Sequence, residues 1–210
     1  MADARAHYEE YWGRDEPPPL GDPLTPRRLE LVRPLLRSAG ARRVLDAGAG
    51  AGDVVGALAA DGLDVAGLDI SEGALALARE RHPDVTFVRH SVEELPWPVE
   101  PGSFDAVIAF EVIEHLLNPR ALLEGARQAL RPGGHVALST PYHGLAKNLV
   151  LVLTRFDRHF DIEGDHVRFF SDGALRRLAE DTGFVVERVE HLGRMRPIWA
   201  NSFVWLRRSD

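Results

Sequence analysis

Two hydrophobic patterns alternate along most of the chain: short apolar runs typical of buried strands, and apolar positions three or four residues apart, typical of amphipathic helices. The runs predict seven strands, at 43–47, 63–69, 85–88, 104–110, 135–140, 184–190 and 198–206. The helical spacings predict helices at 54–60, 72–81, 119–130 and 172–181, with a further apolar stripe at 29–36. Strands separated by helices become parallel neighbours through right-handed crossovers. This order therefore predicts an α/β fold, a Rossmann-like seven-stranded mostly parallel sheet with an antiparallel final strand and helices on both faces.

Capping and helix-breaking residues mark several of these boundaries. Ser71 and Ser171 precede predicted helices and are good N-caps. The sequence LRPGG at 130–134 is expected to end a helix before the fifth strand begins, because proline and glycine do not continue a helix. Pro34 weakens the helix prediction for 29–36 unless it lies in a first turn.

The domain organisation predicted from this pattern is simple. One domain over 1–210 is expected, because the chain is long enough to bury a core of its own. Residues 1–40 are expected to form an N-terminal arm and helix, since DEPPPLGDPLTP holds too many prolines for a regular helix. Residues 141–171 are longer than a plain connection and are expected to form a lid-like insertion.

Composition narrows the class of protein further. The absence of cysteine excludes disulfides, thiolate metal sites and a thiol nucleophile, and makes a reducing cytoplasm the expected location. The formal net charge of −7 argues against a nucleic-acid partner. No apolar segment approaches the ~20 residues that a bilayer requires. A small-molecule substrate and no membrane are therefore expected, and the oligomeric state stays open.

The sequence VLDAGAGAGD at 44–53 joins the first predicted strand of the sheet to the helix that follows it. Its alternate glycines, Gly48, Gly50 and Gly52, would let the backbone turn tightly and approach a ligand, although a tight turn without a ligand is an alternative. A dinucleotide-binding fingerprint would need a glycine where Asp53 stands. Asp46 and Asp53 would also repel a pyrophosphate, whereas they favour a ligand with positive charge, such as the sulfonium and amino groups of S-adenosylmethionine.

From about residue 42 to residue 206 the sequence resembles the class I S-adenosylmethionine-dependent methyltransferases, in particular small bacterial ones. VLDAGAGAGD is similar to the first motif of that family, and Asp69 in VAGLDIS matches its ribose-binding acidic residue. HSVEELPWP resembles the segment that flanks the adenine, although the family more often has Asp where Ser91 stands. SFDAVIAFEVIEHL and LRPGGHVALSTP match its fourth-strand and fifth-strand motifs. The resemblance implies S-adenosylmethionine as cofactor, S-adenosylhomocysteine as product, and as cofactor-binding residues Trp12, Asp46, Ala47, Gly48, Gly50, Gly52, Asp69, Ile70, Ser91, Val92, Glu93 and Phe110.

Candidate catalytic residues follow the fourth predicted strand. If a helical turn begins at EVIEH, Glu111, Glu114 and His115 project to one side. Methyltransferases that act on ubiquinone precursors and on small-RNA ends carry a similar Glu-x-x-Glu-His, which binds a divalent metal in them, and the RNA-end enzymes have a histidine where His166 stands. A metal on these four residues stays open. The prediction for the site has no metal and takes His115, His166 and His143 as catalytic bases or orienting groups.

The insertion and the N-terminal arm supply the remaining candidates. Tyr142 and Arg168 are predicted to bind the substrate, since an arginine can hold a phosphate or carboxylate bidentately; a surface ion pair is the alternative for Arg168. The arm's aromatic residues would cap the cofactor or simply pack the arm against the domain; they are Tyr8, Tyr11 and Trp12. Three apolar residues of the insertion are expected in the core: Val150, Leu151 and Leu153.

These patterns predict an enzyme that transfers the methyl group of S-adenosylmethionine to an oxygen or nitrogen of a small molecule. The cofactor carries the activated methyl, so the protein has to supply alignment, desolvation and, for an alcohol, a base. Two alternatives stay open. One is metal-assisted O-methylation of a diol or a nucleic-acid end, and the other is a non-catalytic S-adenosylmethionine-binding module.

Overall fold

The computed structural model describes residues 4–12, 22–159, 166–193 and 196–210. Seven strands form one sheet in the order β3-β2-β1-β4-β5-β7-β6. Their bounds are β1 Arg43–Ala47, β2 Asp64–Asp69, β3 Thr86–Arg89, β4 Phe104–Phe110, β5 Leu130–Pro141, β6 Phe184–Leu192 and β7 Asn201–Arg208. The described helices are α1 Ala4–Trp12, α2 Thr25–Ser38, α3 Asp53–Ala60, α4 Glu72–Arg81, α5 Pro119–Ala129, α6 Leu145–His159 and α7 Asp172–Asp181, with a 3₁₀ turn at Ile113–His115.

Strand pairing confirms the predicted sheet. β1 lies between β2 and β4 and is parallel to both, while β3 and β5 extend the parallel sheet on either side. β7 runs antiparallel to both β5 and β6. The order of the strands reverses at β1, and open α/β sheets bind ligands beyond the carboxyl ends of strands at such a point.

Alternate residues of the central strands pack into two apolar layers, one on each face of the sheet. On one face, Leu45 and Val107 pack with residues of α5 and α7. On the other, Val44 and Ile108 pack with residues of α2, α3 and α4. Helices therefore cover both faces, as predicted, and the carboxyl ends of β1, β2 and β4 are held at one edge by a rigid core.

Two predicted boundaries near prolines need correction. β5 begins at Leu130, five residues before the predicted start, because Leu130 still pairs with Phe104 while His135 pairs with Ala106, and residues 131–134 form an irregularity between these pairs. The helix α2 contains Pro34 in its interior and not in its first turn. The helix continues because Val32 and its neighbours are buried, while Pro34 itself is exposed, where water can satisfy a carbonyl left without its donor.

The insertion contains a helix, α6, that the sequence pattern did not predict. Leu151 is buried, but Val150 is 48% exposed and Leu153 is 75% exposed, so the expectation that all three lie in the core is wrong for the latter two. Among the described side chains of this helix, Lys147 and Leu151 are buried, while several apolar side chains are exposed: Leu145, Leu149, Val150, Val152, Leu153 and Phe156. Among the described helices, none combines the length and the apolar character needed to cross a membrane.

Candidate active site

The glycine-rich turn after β1 has a backbone that requires glycine. Gly48, Gly50 and Gly52 have φ angles of 94°, 51° and 82°, all in the left-handed region. A Cβ on Gly48 would also overlap the Cγ2 atom of Val112, whereas one on Gly50 would meet only Trp12 Cζ2, at 3.7 Å. The turn therefore approaches Val112 closely at Gly48, whereas at Gly50 a Cβ would make only an ordinary van der Waals contact with Trp12.

Asp69 ends β2 beside this turn and is fixed by two backbone amides. Its Oδ2 accepts a hydrogen bond from the Gly50 amide at 2.8 Å, and its Oδ1 accepts one from the Ser71 amide at 2.9 Å. Burial raises the pKa of the Asp69 carboxyl, and the two amide hydrogen bonds oppose that rise. A carboxylate held in this way keeps lone pairs available for further donors such as vicinal hydroxyl groups.

A cavity that we call the nucleoside pocket opens in front of Asp69. Its lining residues come from α1, from the carboxyl ends of β1, β2 and β4, and from the segment after β3; they are Tyr8, Tyr11, Trp12, Gly48, Gly50, Asp69, Ile70, Ser91, Val92, Glu93, Glu111, Val112, His115 and Leu116. Eight of the twelve predicted cofactor-binding residues are in this set. In the segment after β3, Ser91 Oγ accepts from the Glu93 amide at 3.2 Å, and the Glu93 carboxylate accepts from the Asn118 amide. The side chains of this wall are thus fixed by local hydrogen bonds.

A second cavity, which we call the amino-acid pocket, adjoins the first and shares Tyr11, Trp12, Gly48, Gly50 and Glu111 with it. Two more predicted residues, Asp46 and Phe110, line it together with Asp22, Thr25, Arg28, Ala49, Ala51, Asp53 and Val54. The last two predicted residues do not line either pocket. Ala47 is fully buried behind the turn, and Gly52 is the N-cap of α3.

Asp46 gives the amino-acid pocket an unusual electrostatic character. Its side chain is buried, and burial raises the pKa of this carboxyl to about 8, with the nearby charge of Asp69 contributing in the same direction. Two carboxyl groups in a low-dielectric region favour a cationic ligand, because such a ligand offsets both their desolvation and their repulsion. The acidic residue before the glycine turn is therefore suited to an ammonium or sulfonium group.

Arg28 is a candidate binding residue that was not predicted from the sequence. Its side chain is only 1% exposed, and its Nη1 and Nη2 atoms lie 3.2 Å from Asp22 and 3.1 Å from Glu111. Its Nε atom is buried without a hydrogen-bond partner among the described residues, and a carboxylate in the pocket would supply one. The available signal was spacing, since Arg28 lies four residues before Val32 on the buried stripe of α2.

The backbone at Glu111 is not helical, although a helical turn from this residue was considered from the sequence. The 3₁₀ turn begins only at Ile113, and Glu111 before it has a left-handed backbone, with φ of 55°. Its carboxylate accepts hydrogen bonds from Ser139 Oγ at 2.8 Å and Asn201 Nδ2 at 2.9 Å, besides its ion pair with Arg28. The helical turn on which the expectation for Glu111, Glu114 and His115 depended therefore does not begin at Glu111. Glu111 and His115 nevertheless line the same pocket, and the charge of Glu111 acts on Glu114.

Glu114, His115 and His166 do come together, with one potential ligand atom from each lying within 4.8 Å of the others. Glu114 is 1% exposed, and neither of its carboxylate oxygens has a hydrogen-bond partner among the described residues. Burial, followed by the charge of Glu111, raises the pKa of the Glu114 carboxyl well above its ordinary value. The rings of His115 and His166 are 4.9 Å apart between centroids. This cluster lies at the wall of the nucleoside pocket through His115 and can hold either a proton or a cation.

Tyr142, His143 and Arg168, the remaining predicted residues, do not line either pocket. Tyr142 packs edge-on against His191 and Trp199, with ring centroids 5.0 and 5.5 Å away. His143 is buried, with Nδ1 3.0 Å from Asn148 Oδ1, so it fixes the start of α6. Arg168 is exposed and donates to the Leu117 carbonyl at 2.6 Å. None of the three lines the nucleoside pocket or the amino-acid pocket.

Comparisons with known proteins agree with this geometry. A family model described as a methyltransferase domain matches residues 14–189. A ubiquinone biosynthesis O-methyltransferase of Methylococcus capsulatus is 30% identical over 195 residues, which cover 90% of this chain and 81% of that protein. That of Alkalilimnicola ehrlichii is 38% identical over 126 residues, covering 58% of this chain and 50% of that protein. The chain thus spans only about half the length of several curated relatives that it matches.

Solved structures show the same fold. A magnesium protoporphyrin IX methyltransferase from Synechocystis PCC 6803, crystallised with S-adenosylhomocysteine, superposes with a TM-score of 0.71 over 98% of each chain, at 20% sequence identity. At that identity the likeness establishes the fold alone. The fold and the sequence matches together define a class I S-adenosylmethionine-dependent methyltransferase, and the chain belongs to the methyltransferase-domain family. Its cofactor is S-adenosylmethionine.

Proposed function

We propose that this protein transfers the methyl group of S-adenosylmethionine to a hydroxyl oxygen of a small molecule. The observation that carries the proposal is the pair of adjoining pockets, one centred on Asp69 and the other on Arg28 and Asp46. A nucleoside fits the first and an amino acid the second, which places the sulfonium between them, near Glu111 and His115. The names of the O-methyltransferase relatives favour oxygen over nitrogen as the methyl acceptor.

In this proposal each pocket binds one part of the cofactor. The amides that hold Asp69 orient its carboxylate toward the ribose hydroxyls, and Ser91, Val92 and Ile70 surround the adenine. Arg28 pairs with the carboxylate of the amino-acid part, since its buried Nε lacks a partner there. Asp46 accepts from the amino group, whose positive charge stabilises the ionised form of this buried carboxyl.

The protein has to align the acceptor and remove a proton, since the bound cofactor supplies an already activated methyl group. His115 is placed to take the proton of the acceptor hydroxyl, because it lines the nucleoside pocket and its Nε2 lies 4.0 Å from Glu114 Oε1. The buried Glu114 carboxylate would stabilise the imidazolium that forms. His166 packs against the same ring and holds it in place.

A methyl-transfer assay with radiolabelled cofactor tests the proposal. Catechols, simple phenols, aliphatic alcohols and amines should be screened at equal concentration. The test variant is His115→Gln, and the matched control is His135→Gln, which lines neither pocket and pairs with Ala106 near the start of β4. We expect transfer to at least one hydroxyl class and a loss of about 10²-fold or more in the test variant, the usual contribution of a general base. Calorimetric binding of S-adenosylhomocysteine without transfer to any acceptor would instead support the non-catalytic binding module.

The cluster of Glu114, His115 and His166 supports a second candidate function, metal-assisted O-methylation. A buried carboxylate without a hydrogen-bond partner beside two imidazoles is a donor set that suits magnesium, manganese or zinc. These three residues would hold the ion, and the ion would lower the pKa of a bound hydroxyl. Glu111 is not among the three residues whose ligand atoms lie within 4.8 Å of one another, and its carboxylate already contacts Ser139, Asn201 and Arg28.

Metal removal distinguishes the two candidates. Dialysis against a chelator should abolish transfer if an ion is required, and addition of manganese or magnesium should restore it. Double substitution of His115→Ala and His166→Ala should then remove both activity and metal binding measured by calorimetry. Full turnover of the metal-stripped protein in excess chelator would exclude this second function and leave His115 as a base.

A further inference from the structure

Glu9, on the N-terminal helix α1, has an unusually complete set of contacts for a surface carboxylate. Its Oε1 accepts from the Glu72 amide at 3.0 Å and from Arg89 Nη2 at 2.6 Å. Its Oε2 accepts from the Gly73 amide at 3.1 Å and lies 3.4 Å from Ser71 Oγ. The Glu9 side chain therefore accepts hydrogen bonds from backbone amides at the start of α4 and forms an ion pair with Arg89 on β3. We call this set of contacts the Glu9 clamp.

The same helix contributes three aromatic residues to the wall of the nucleoside pocket. Tyr8, Tyr11 and Trp12 all line the nucleoside pocket. Trp12 lies close to two glycines, since a Cβ on Gly50 would be 3.7 Å from its Cζ2 and one on Gly73 would be 3.2 Å from its Cβ. The indole thus lies between the glycine turn and the N-terminus of α4, and α1 forms one wall of the pocket.

The Glu9 clamp contacts residues that also hold Asp69, the proposed ribose-binding residue. Ser71, whose hydroxyl lies beside Glu9, donates its amide to Asp69. Arg89 on β3 lies opposite Asp69 on β2 in the register of the parallel strands. The Nε atom of Arg89 also donates to the Ile70 carbonyl at 3.3 Å. The amide of Glu72 and the other groups of the clamp lower the pKa of the Glu9 carboxyl, so it is ionised at neutral pH. Movement of α1 away from α4 would therefore remove groups next to Asp69.

α1 depends on such an anchor, because its nine residues are too few for an isolated helix to be stable in water, where about 12–15 are needed. We propose that Glu9 is a positioning residue for the cofactor: the Glu9 clamp holds α1 in place, and α1 keeps Tyr8, Tyr11 and Trp12 over the bound nucleoside. The clamp slows release of the cofactor and its product without taking part in the chemical step.

The variant Glu9→Gln tests this proposal, because it preserves the shape of the side chain and removes its charge. The matched control is Glu10→Gln, which removes one charge from the neighbouring exposed position of the same helix. Binding of S-adenosylhomocysteine should be followed by stopped-flow tryptophan fluorescence and by calorimetry. We expect the dissociation rate and Kd to rise about tenfold in Glu9→Gln, as for loss of hydrogen bonds to a charged group, and to stay unchanged in Glu10→Gln. KM for S-adenosylmethionine should rise with them, while kcat at saturating cofactor should change less than twofold.

Amide hydrogen exchange in residues 4–12 supplies a readout that does not depend on the cofactor or on activity. Exchange in the free protein should be faster in Glu9→Gln than in Glu10→Gln, and Arg89→Gln should show the same effect in smaller measure. Equal exchange and equal dissociation rates in the two glutamate variants would overturn the proposal. A fall in kcat of Glu9→Gln as large as the rise in its KM would also overturn it. A wild-type chain that failed to bind S-adenosylhomocysteine would contradict the cofactor site, while the exchange data would still decide whether Glu9 holds α1.

Discussion

The buried Asp46 carboxyl predicts a specific dependence of stability on pH. Its pKa is raised from an ordinary 3.8 to about 8 in the folded protein, mainly by burial. Between those two values the folded chain binds a proton that the unfolded chain has released, so the contribution of this group to the free energy of unfolding falls as pH rises from about 4 to about 8. Replacement of Asp46 by Asn removes the ionisable group, so this fall in the free energy of unfolding with rising pH should disappear.

The size of the effect follows from the same shift. At pH 7 the group should lower the free energy of unfolding by at most about 4 kcal/mol relative to acid pH, at about 1.4 kcal/mol per pKa unit. Structural relaxation and water entry reduce such penalties in real proteins, so we expect Asp46→Asn to be more stable than wild type by about 2 kcal/mol at pH 7. The advantage should vanish near pH 4, where both forms of the site are neutral.

Urea unfolding followed by tryptophan fluorescence at several pH values between 4.5 and 8 measures this difference. Other groups titrate in the same range, but they contribute equally to both proteins, so the difference between the two curves isolates Asp46. Asp84→Asn, at an exposed position, is the matched control and should show no difference that depends on pH. A constant difference between wild type and Asp46→Asn across the range, or a variant less stable at pH 8, would refute the argument.

Three further substitutions test the two pockets. Arg28→Gln should weaken binding of S-adenosylhomocysteine at least tenfold in calorimetry, because the ligand carboxylate loses its cation; unchanged affinity would exclude the assigned role. Asp69→Asn should weaken binding of the same ligand by a similar factor but should leave affinity for free methionine unchanged, and an equal effect on both would show that Asp69 does not bind the ribose. Gly48→Ala should lower the unfolding temperature by several degrees and abolish cofactor binding, since φ of 94° and the overlap with Val112 both oppose a Cβ; a variant with wild-type affinity would show that the turn tolerates a side chain.

The sheet could be predicted from the sequence because its determinants are local. Ser71 accepts from the Ala74 amide as an N-cap, and the glycines after β1 occupy positive φ, so both could be located from residue type alone. The mostly parallel pairing of the strands followed from the alternation of strand and helix patterns and from right-handed crossovers. The helix α6, which was not predicted, shows where such patterns fail. The apolar residues of the insertion do not reveal which side of the helix packs against the domain.

The candidate site could be predicted only in part, because long-range contacts decide its details. The side chain of Glu111 is oriented by hydrogen bonds from Ser139 and Asn201, which lie 28 and 90 residues away in the chain. Arg28 is buried while the adjacent Arg27 is exposed, and nothing in the local composition separates the two. The site residues at the carboxyl ends of the strands could be located from the sequence. The distant residues that orient their side chains could not.

The central claim is that the two pockets receive the nucleoside and the amino-acid part of S-adenosylmethionine. A crystal structure of the protein with S-adenosylhomocysteine tests this claim most directly. The account predicts both ribose hydroxyls within hydrogen-bond distance of Asp69, the ligand carboxylate on Arg28, and the indole of Trp12 against the nucleoside. A ligand whose ribose lies away from Asp69, or whose carboxylate lies outside the pocket of Arg28 and Asp46, would contradict it.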